Sequence, residues 1–254
     1  MKVLRYKTRD GSPQTGWLQE GQIGLLEGDL FEGYQRKEPA IPLERVQILP
    51  PVLPGKIICV GRNYPEHAKE MNAEIPRIPI LFLKPPSAII GPGQSIELPL
   101  QSSQVEYEGE LAVVIGKSAR HTQADDARRI IFGYTIANDV TARDLQRADG
   151  QWTRAKGFDT FCPLGPWIDT DIDPYDVLLT THVNGQMRQM SSTRDMIFPV
   201  FQLISFITSV MTLEAGDVIL TGTPAGVGPV SAGDVVKVTI EGIGELVSPV
   251  IAGG

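Results

Sequence analysis

A chain of 254 residues, 42% of them hydrophobic, is long enough for one large domain or for a small domain attached to a larger one. Its formal net charge of -7 lacks the basic excess that holds a phosphate backbone, which argues against a nucleic-acid partner. The start, M-K-V-L-R-Y-K-T-R-D, has no apolar leader and no later apolar run is long enough to cross a bilayer, so a soluble, cytoplasmic protein with no membrane partner is expected.

Residues 2–7 and roughly 16–27 read as short strands, with turns at Asp10-Gly11 and at Glu27-Gly28-Asp29. Prolines at 39, 42, 50, 51 and 54 mark an extended connector. The boundary is placed there, giving a small N-terminal β unit with its connector over 1–54 and a larger domain over 55–254. Residues 56–60 form a short apolar strand that runs into G-R-N-Y-P-E-H-A-K-E-M. That segment has the grammar of a short helix, with Asn63 as N-cap, Pro65 in the first turn and Glu66 completing a capping box. His67 and Glu70, at i and i+3, share a face on which a carboxylate can orient an imidazole as a general base. Taken alone, the pair reads more readily as an exposed helical ion pair.

A strand at 80–84 and short apolar pieces between proline turns lead to residues 104–115, Q-V-E-Y-E-G-E-L-A-V-V-I. Read as one strand with period two, this places Glu106, Glu108 and Glu110 on one face, roughly 7 Å apart, where mutual repulsion calls for positive charge nearby. A second apolar run, 130–137, ends in Asn138-Asp139. Two strand ends offering Glu108, Glu110 and Asp139 make an all-oxygen site for a hard cation, Mg²⁺, Mn²⁺ or Ca²⁺. On this reading Glu108→Ala abolishes activity with little loss of fold. Between the two runs, 122–132 is expected as a helix capped by Thr122 and closed by Gly133.

The polar stretch to Gly157 carries Arg143, Arg147, Arg154 and Lys156. Arg143 and Lys156 are candidates for an anionic substrate, and Arg147 and Arg154 read as solvated. A strand at 176–183 turns at Asn184-Gly185, the strongest hairpin signal in the chain. The spacing predicts the longest helix over 197–211, followed by strands at 218–220, 235–240 and 245–250. The loop T-G-T-P-A-G-V-G-P lacks the ending of a P-loop; its small residues would let a ligand approach the backbone. Cys59 and Cys162 show no disulfide or zinc spacing and read as core hydrophobes, and His121 and His182 as structural residues.

Five segments taken together, I-C-V-G-R-N-Y-P-E-H-A-K-E-M (58–71), Y-E-G-E-L-A-V-V-I-G (107–116), A-N-D-V-T-A-R-D-L-Q (137–146), K-G-F-D-T-F-C-P-L-G-P (156–166) and T-G-T-P-A-G-V-G (221–228), resemble in sequence and order the fumarylacetoacetate hydrolase family, in particular its short members related to acylpyruvases and oxaloacetate decarboxylases. The resemblance implies an α+β fold: a mixed, mostly β catalytic domain with few helices, preceded by the small N-terminal unit. It implies Mg²⁺ or Mn²⁺ on Glu108, Glu110 and Asp139, with Glu106 left out, a catalytic His67–Glu70 pair on a lid helix, and an active-site Lys156. It further implies substrate contacts from Arg62, Arg143, Gln146 and Thr223, and a homodimer. The function expected from it is hydrolysis of a carbon–carbon bond in a small anionic 2,4-diketo acid of the acylpyruvate or fumarylpyruvate type. Oxaloacetate decarboxylation and isomerisation of an unsaturated 2-hydroxy diacid are alternatives on the same site. A non-catalytic metal-binding module is an alternative of another class.

Overall fold

The computed structural model describes residues 1–9 and 11–254, so the first residue of the expected Asp10-Gly11 turn lies outside the described residues. The chain is mostly β, with four α-helices among the described residues: α1 (Pro65–Glu70), α2 (Arg143–Asp149), α3 (Thr153–Lys156) and α4 (Val200–Val210). The α+β architecture expected above is the one observed. Its main sheet has at its centre the strand Gly109–Ile115, paired antiparallel with Ile131–Asn138 on one side and Val218–Leu220 on the other. Val218–Leu220 continues in parallel to Ile57–Gly61, and that strand is antiparallel to Ile80–Lys84. In the other direction, Cys162–Asp169 connects Ile131–Asn138 to Lys2–Lys7, so the N-terminal strands extend the same sheet. A five-stranded sheet, ordered Ile96–Leu98, Gly244–Ala252, Val235–Ile240, Leu178–Val183, Gln186–Ser192, lies over the main one.

Strand periodicity explains where the core sits. Leu111, Val113 and Ile115 project to one face and pack with Val238 and Leu246 of the five-stranded sheet. Ala112 and Val114 project to the other and join Ile57, Leu220, Cys59 and Cys162 in a second cluster. Both cysteines are fully buried and free, and burial pushes both thiols up, Cys162 to about 12. They behave as apolar core residues, as their spacing suggested.

Local expectations at the acidic segment, at 122–132, at Glu27-Gly28-Asp29, in the connector and at Asn63 are corrected. The acidic segment is two strands rather than one: Val105–Tyr107 and Gly109–Ile115 belong to different sheets, and Glu108 lies at the break. Over 122–132 the chain makes a 3₁₀ turn at Ala124–Ile130, with Gln123 at the N-cap position and no side-chain cap. Pairing of Ile131 with Ile115 draws the next residues into the sheet, and ladder bonds win over helix propensity. Glu27-Gly28-Asp29 is not a turn. The strand Gln22–Asp29 runs through it, and Asp29 Oδ1 accepts from the amides of Phe31 and Glu32 to make the turn beyond. The connector also carries a strand, Gln47–Leu49, that pairs with Lys2–Lys7.

Asn63 does not cap α1: Tyr64 occupies that position and Glu66 points to Lys69 at the surface. The buried Asn63 amide instead donates to Thr221 O (2.8 Å) and Phe198 O (3.0 Å) and accepts from Phe198 N (2.8 Å). It ties the end of Ile57–Gly61 to the segments that precede α4 and follow Val218–Leu220. Gly222 closes on it, with φ +96 and no room for a Cβ beside Asn63. Asn63→Ala leaves three backbone groups without their partner and is expected to destabilise the fold by roughly 2–4 kcal/mol. Urea unfolding measures this; a loss below about 0.5 kcal/mol would show that the amide is dispensable.

Candidate functional site

The register of the central strands builds the site. Gly109 pairs with Asn138, the Asp139 amide donates to Glu108 O (2.8 Å), and the Asn138 side chain accepts from the Glu108 amide (2.9 Å). Glu108, Glu110 and Asp139 therefore meet where two strands end side by side. All three are buried, and one oxygen from each lies within 4.8 Å of the others.

Three buried cations face them. Lys156, the last residue of α3, places Nζ 2.6 Å from Glu108 Oε2 and 2.7 Å from Asp139 Oδ2. Lys84, the last residue of its strand, donates to Asp139 Oδ1 (2.6 Å) and to Val140 O (3.2 Å). Arg143, the first residue of α2, donates through Nε to Glu106 Oε2 (2.7 Å), through Nη2 to Glu108 Oε1, and through Nη1 to Gln146 Oε1 (2.6 Å). The positive charge called for by the three glutamates is thus Arg143 and Lys156, and Glu106 serves as an anchor for Arg143. Sequence reasoning missed Lys84. Its only signal was a lysine closing an apolar strand that has no exposed end.

Four carboxylates against three cations leave one negative charge unmatched. Burial, then Asp139 and Glu108, push the Glu110 carboxyl well above its ordinary value, and its Oε2 accepts only the Gly222 amide (2.6 Å). Burial also opposes ionisation of Glu108, yet the Lys156 ammonium and Arg143 guanidinium outweigh it and hold that carboxyl well below the usual range. Burial disfavours the Lys156 charge, but Asp139 and Glu108 raise its pKa overall. An all-oxygen cluster with surplus negative charge fits a hard divalent cation. Glu108, Glu110 and Asp139 are the residues that would hold it.

Above this cluster opens a cavity of about 230 Å³. Of the residues singled out by sequence, Arg62, His67, Glu108, Arg143, Gln146, Lys156 and Thr223 line it. Glu110 and Asp139 lie buried with Glu108 in the acidic cluster, and Glu70 stands behind His67. Trp152 and Phe82, which sequence reasoning did not select, form an aromatic wall with ring centroids 5.2 Å apart. Thr223 is already committed, donating to Gly109 O (2.9 Å) and accepting from Gln189 Nε2 (2.7 Å). Among the recorded hydrogen bonds, Lys156 uses two of its three donors, which leaves one for the cavity.

His67 is buried, with Nδ1 3.1 Å from Glu70 Oε2. The other Glu70 oxygen accepts from Gly226 N (3.0 Å), so one carboxylate both orients the imidazole and ties α1 to the 221–228 loop. Six residues are too few for a helix that stands alone. Here the docked faces of His67 and Ala68 and the Asn63 bonds hold it closed over the cavity.

Residues 56–251 match the family described as Fumarylacetoacetate (FAA) hydrolase C-terminal, and residues 1–51 match the one described as Rv2993c-like, N-terminal. A protein of Archaeoglobus fulgidus is 55% identical over 233 residues, 91% of either chain. The mitochondrial oxaloacetate tautomerase Fahd2a of Rattus norvegicus is 45% identical over 225 residues, 84% of this chain and 72% of its own. The solved structure of 5-carboxymethyl-2-hydroxymuconate delta-isomerase from Mycobacterium smegmatis superposes with a TM-score of 0.92 at 46% identity, over 99% of this chain and 100% of that one. Maleylpyruvate hydrolase from Sphingobium, solved with manganese(II) and pyruvate, superposes over the whole of both chains with a TM-score of 0.82 at 31% identity.

The ion network changes one expected outcome and adds two. Glu108→Ala would strand Arg143 and Lys156 as buried cations, so loss of fold accompanies loss of activity, and Glu108→Gln is the cleaner variant. Lys84→Met removes one cation from a cluster already short of positive charge. It is expected to destabilise the metal-free protein by about 3–5 kcal/mol and to gain more in Tm from Mg²⁺ than the wild type does. An equal Mg²⁺-induced gain in both proteins, measured by thermal unfolding, would sink this.

Mg²⁺ affinity should climb with pH above the ordinary glutamate value of about 4.3. With its pKa raised, Glu110 keeps a proton in the folded state that the unfolded chain has lost, so metal-free stability from this group falls as pH rises through that window, and metal must expel the proton to bind. Calorimetry in two buffers of different ionisation enthalpy counts the protons released; none released across the window would contradict it.

Proposed function

The chain belongs to the fumarylacetoacetate hydrolase family, and from that premise we propose that it is a divalent-metal-dependent enzyme that moves a proton at the carbon beside the ketone of a small 2-oxo acid, interconverting keto and enol forms. The observation that carries this reading is His67: buried, oriented by Glu70, and lining the same cavity as Lys156 and the carboxylate Glu108. The likeness to a tautomerase at 45% identity and an isomerase at 46% supports proton transfer over bond cleavage as the main chemistry.

A bound Mg²⁺ or Mn²⁺ would supply Lewis-acid polarisation of the carboxylate and ketone oxygens of the acid. His67 takes the proton from C3, the electron pair moves into the C2–C3 bond, and negative charge collects on the ketone oxygen. Glu70 stabilises the imidazolium that forms, and the proton is then delivered either to the ketone oxygen, which gives the enol, or back to carbon, at C3 or at the vinylogous position of an unsaturated diacid. The remaining N–H donor of Lys156 offsets the charge on oxygen. The Gln146 side chain has its carbonyl held by Arg143, which leaves its NH₂ to meet the substrate.

Hydrolytic cleavage of a 2,4-diketo acid is the second reading, supported by the likeness to maleylpyruvate hydrolase. It uses the same base, with His67 taking its proton from a water that attacks the distal carbonyl.

His67→Asn is expected to lower kcat for oxaloacetate tautomerisation by about 10²- to 10⁴-fold while Mg²⁺ binding, followed by calorimetry, persists. Tautomerisation by the wild type no faster than in Mg²⁺ buffer alone would end the proton-transfer reading. Release of pyruvate from acetylpyruvate in that case would establish the hydrolase, and metal binding with no turnover of either acid would indicate a binding module.

A further inference from the structure

The peptide between Glu108 and Glu110 is held from outside its own sheet. On one side Gly109 pairs with Asn138, and on the other the neighbouring strand, Val218–Leu220, reaches only as far as Ala112. The Gly109 N–H and C=O, buried beyond the end of that strand, therefore need partners other than a ladder. Two side chains supply them. The Gly109 amide donates to Gln189 Oε1 (3.0 Å), and the Thr223 hydroxyl donates to Gly109 O (2.9 Å). Gln189 Nε2 donates to Thr223 Oγ1 (2.7 Å) and to Pro224 O (2.8 Å).

The donor chemistry leaves one assignment. The Gly109 N–H can only donate and Pro224 O can only accept, which fixes which end of the Gln189 amide points where; the Thr223 hydroxyl must then direct its own proton at Gly109 O. Three hydrogen bonds close a ring that leaves Gly109 at its N–H, passes through Gln189 and Thr223, and returns to Gly109 at its carbonyl.

Gln189 belongs to the five-stranded sheet, and its strand is shaped to deliver it. Along Gln186–Ser192 the side chains of Met187 and Met190 are exposed and the polar Gln189 is buried, the reverse of what transfer from water favours. Thr181 pairs with Gln189 and His182 with Met187, so Arg188 is the extra residue of a bulge, a device that re-aims a side chain. The residue between the two glutamates is glycine for the same reason, since a Cβ there would collide with Thr181 Oγ1 and stand 3.2 Å from Gln189 Oε1. A buried amide placed against the hydrophobic pattern, with its bonds directed to Gly109 and to the loop whose Gly222 amide meets Glu110, has a use beyond packing.

We propose that Gln189 is a positioning residue for the cation site: from a place outside the cavity lining it fixes the Gly109 peptide, and with it the separation and direction of the Glu108 and Glu110 carboxylates. This role rests on the divalent-metal reading above and is independent of which reaction the metal serves.

Mn²⁺ serves as the probe, because calorimetry gives its Kd and the EPR line shape of the bound ion reports the symmetry of its ligands. Gln189→Met, close to glutamine in length, removes all three hydrogen bonds of the amide and is expected to weaken Mn²⁺ binding by about 10- to 100-fold and to broaden the EPR signal. Thr223→Val opens the ring at its other corner and should weaken binding in the same direction, while Thr223→Ser, which keeps the hydroxyl, should restore it. Val236→Ala, which hollows the core of the same five-stranded sheet, should lower Tm and leave the Kd for Mn²⁺ as it is, separating positioning from loss of stability. Wild-type Kd and line shape in Gln189→Met, or in Thr223→Val should Gln189→Met not fold, would overturn the positioning role and leave the metal site standing, as would an equal loss of affinity in Val236→Ala. No Mn²⁺ binding by the wild type would overturn the metal reading and this role with it.

Discussion

The interaction on which the rest depends is the confinement of four carboxylates, Glu106, Glu108, Glu110 and Asp139, with only three cations inside a buried volume. Charges this deep attract and repel far more strongly than at the surface, and burial itself disfavours each of them. The arrangement is tolerable only because nearly every oxygen and nitrogen in it has a near partner. The carboxylate left without a cation is Glu110, which keeps its proton and accepts from one backbone donor, the Gly222 amide just beyond Val218–Leu220. A dication is the simplest completion of such a cluster, so the demand for metal is a consequence of how the scaffold closes.

The scaffold meets that demand with strand ends and short helices. Interrupting the acidic segment at Glu108 sends its two halves into different sheets and turns the carboxylate toward the end of Ile131–Asn138. Lys84 and Lys156 arrive as the last residues of their elements, and Lys84 does so without breaking the apolar run Ile80–Leu83 that precedes it. Helix α1 depends on tertiary contacts throughout: Asn63 anchors the chain that leads into it, and Glu70 ties it to the loop opposite. His67 is thereby carried on an element whose position over the cavity is set by a few hydrogen bonds.

Much of this was legible along the chain. Paired acidic residues at the start of one apolar run and an aspartate ending the next pointed to three carboxylates that could meet, and they do meet; the i, i+3 spacing of His67 and Glu70 pointed to a shared face, and the resemblance, not the spacing, gave the pair its expected role. Other features were hidden because their cause lies far away in sequence. Thr122 and Gly133 read as helix boundaries, yet the ladder between Ile131 and Ile115 overrode local propensity. Asn63 read as a cap, yet its partners are Thr221 and Phe198, more than a hundred residues on. Arg143 read as a substrate contact, and three of its five N–H donors are engaged by Glu106, Glu108 and Gln146, an arrangement set by strands the local sequence does not show. Trp152 lay unnoticed in a polar stretch because its importance comes from packing on Gly61 and Phe82.

The sequence by itself determined which residue types are present and their spacing along strands and along one short helix, and hence which carboxylates could meet as a hard-cation cluster and which imidazole has a carboxylate on its own helix face. Residue type and local period are sufficient for that, because donor chemistry and one-turn geometry are local properties. Only the tertiary structure decided how the charges are shared, with Glu106 anchoring Arg143, Lys84 balancing Asp139, and Arg62 lying over the Trp152 ring. Those outcomes depend on which strand ends meet, and electrostatic energy at a few ångströms in a buried site is set by that meeting and by nothing in the neighbouring sequence.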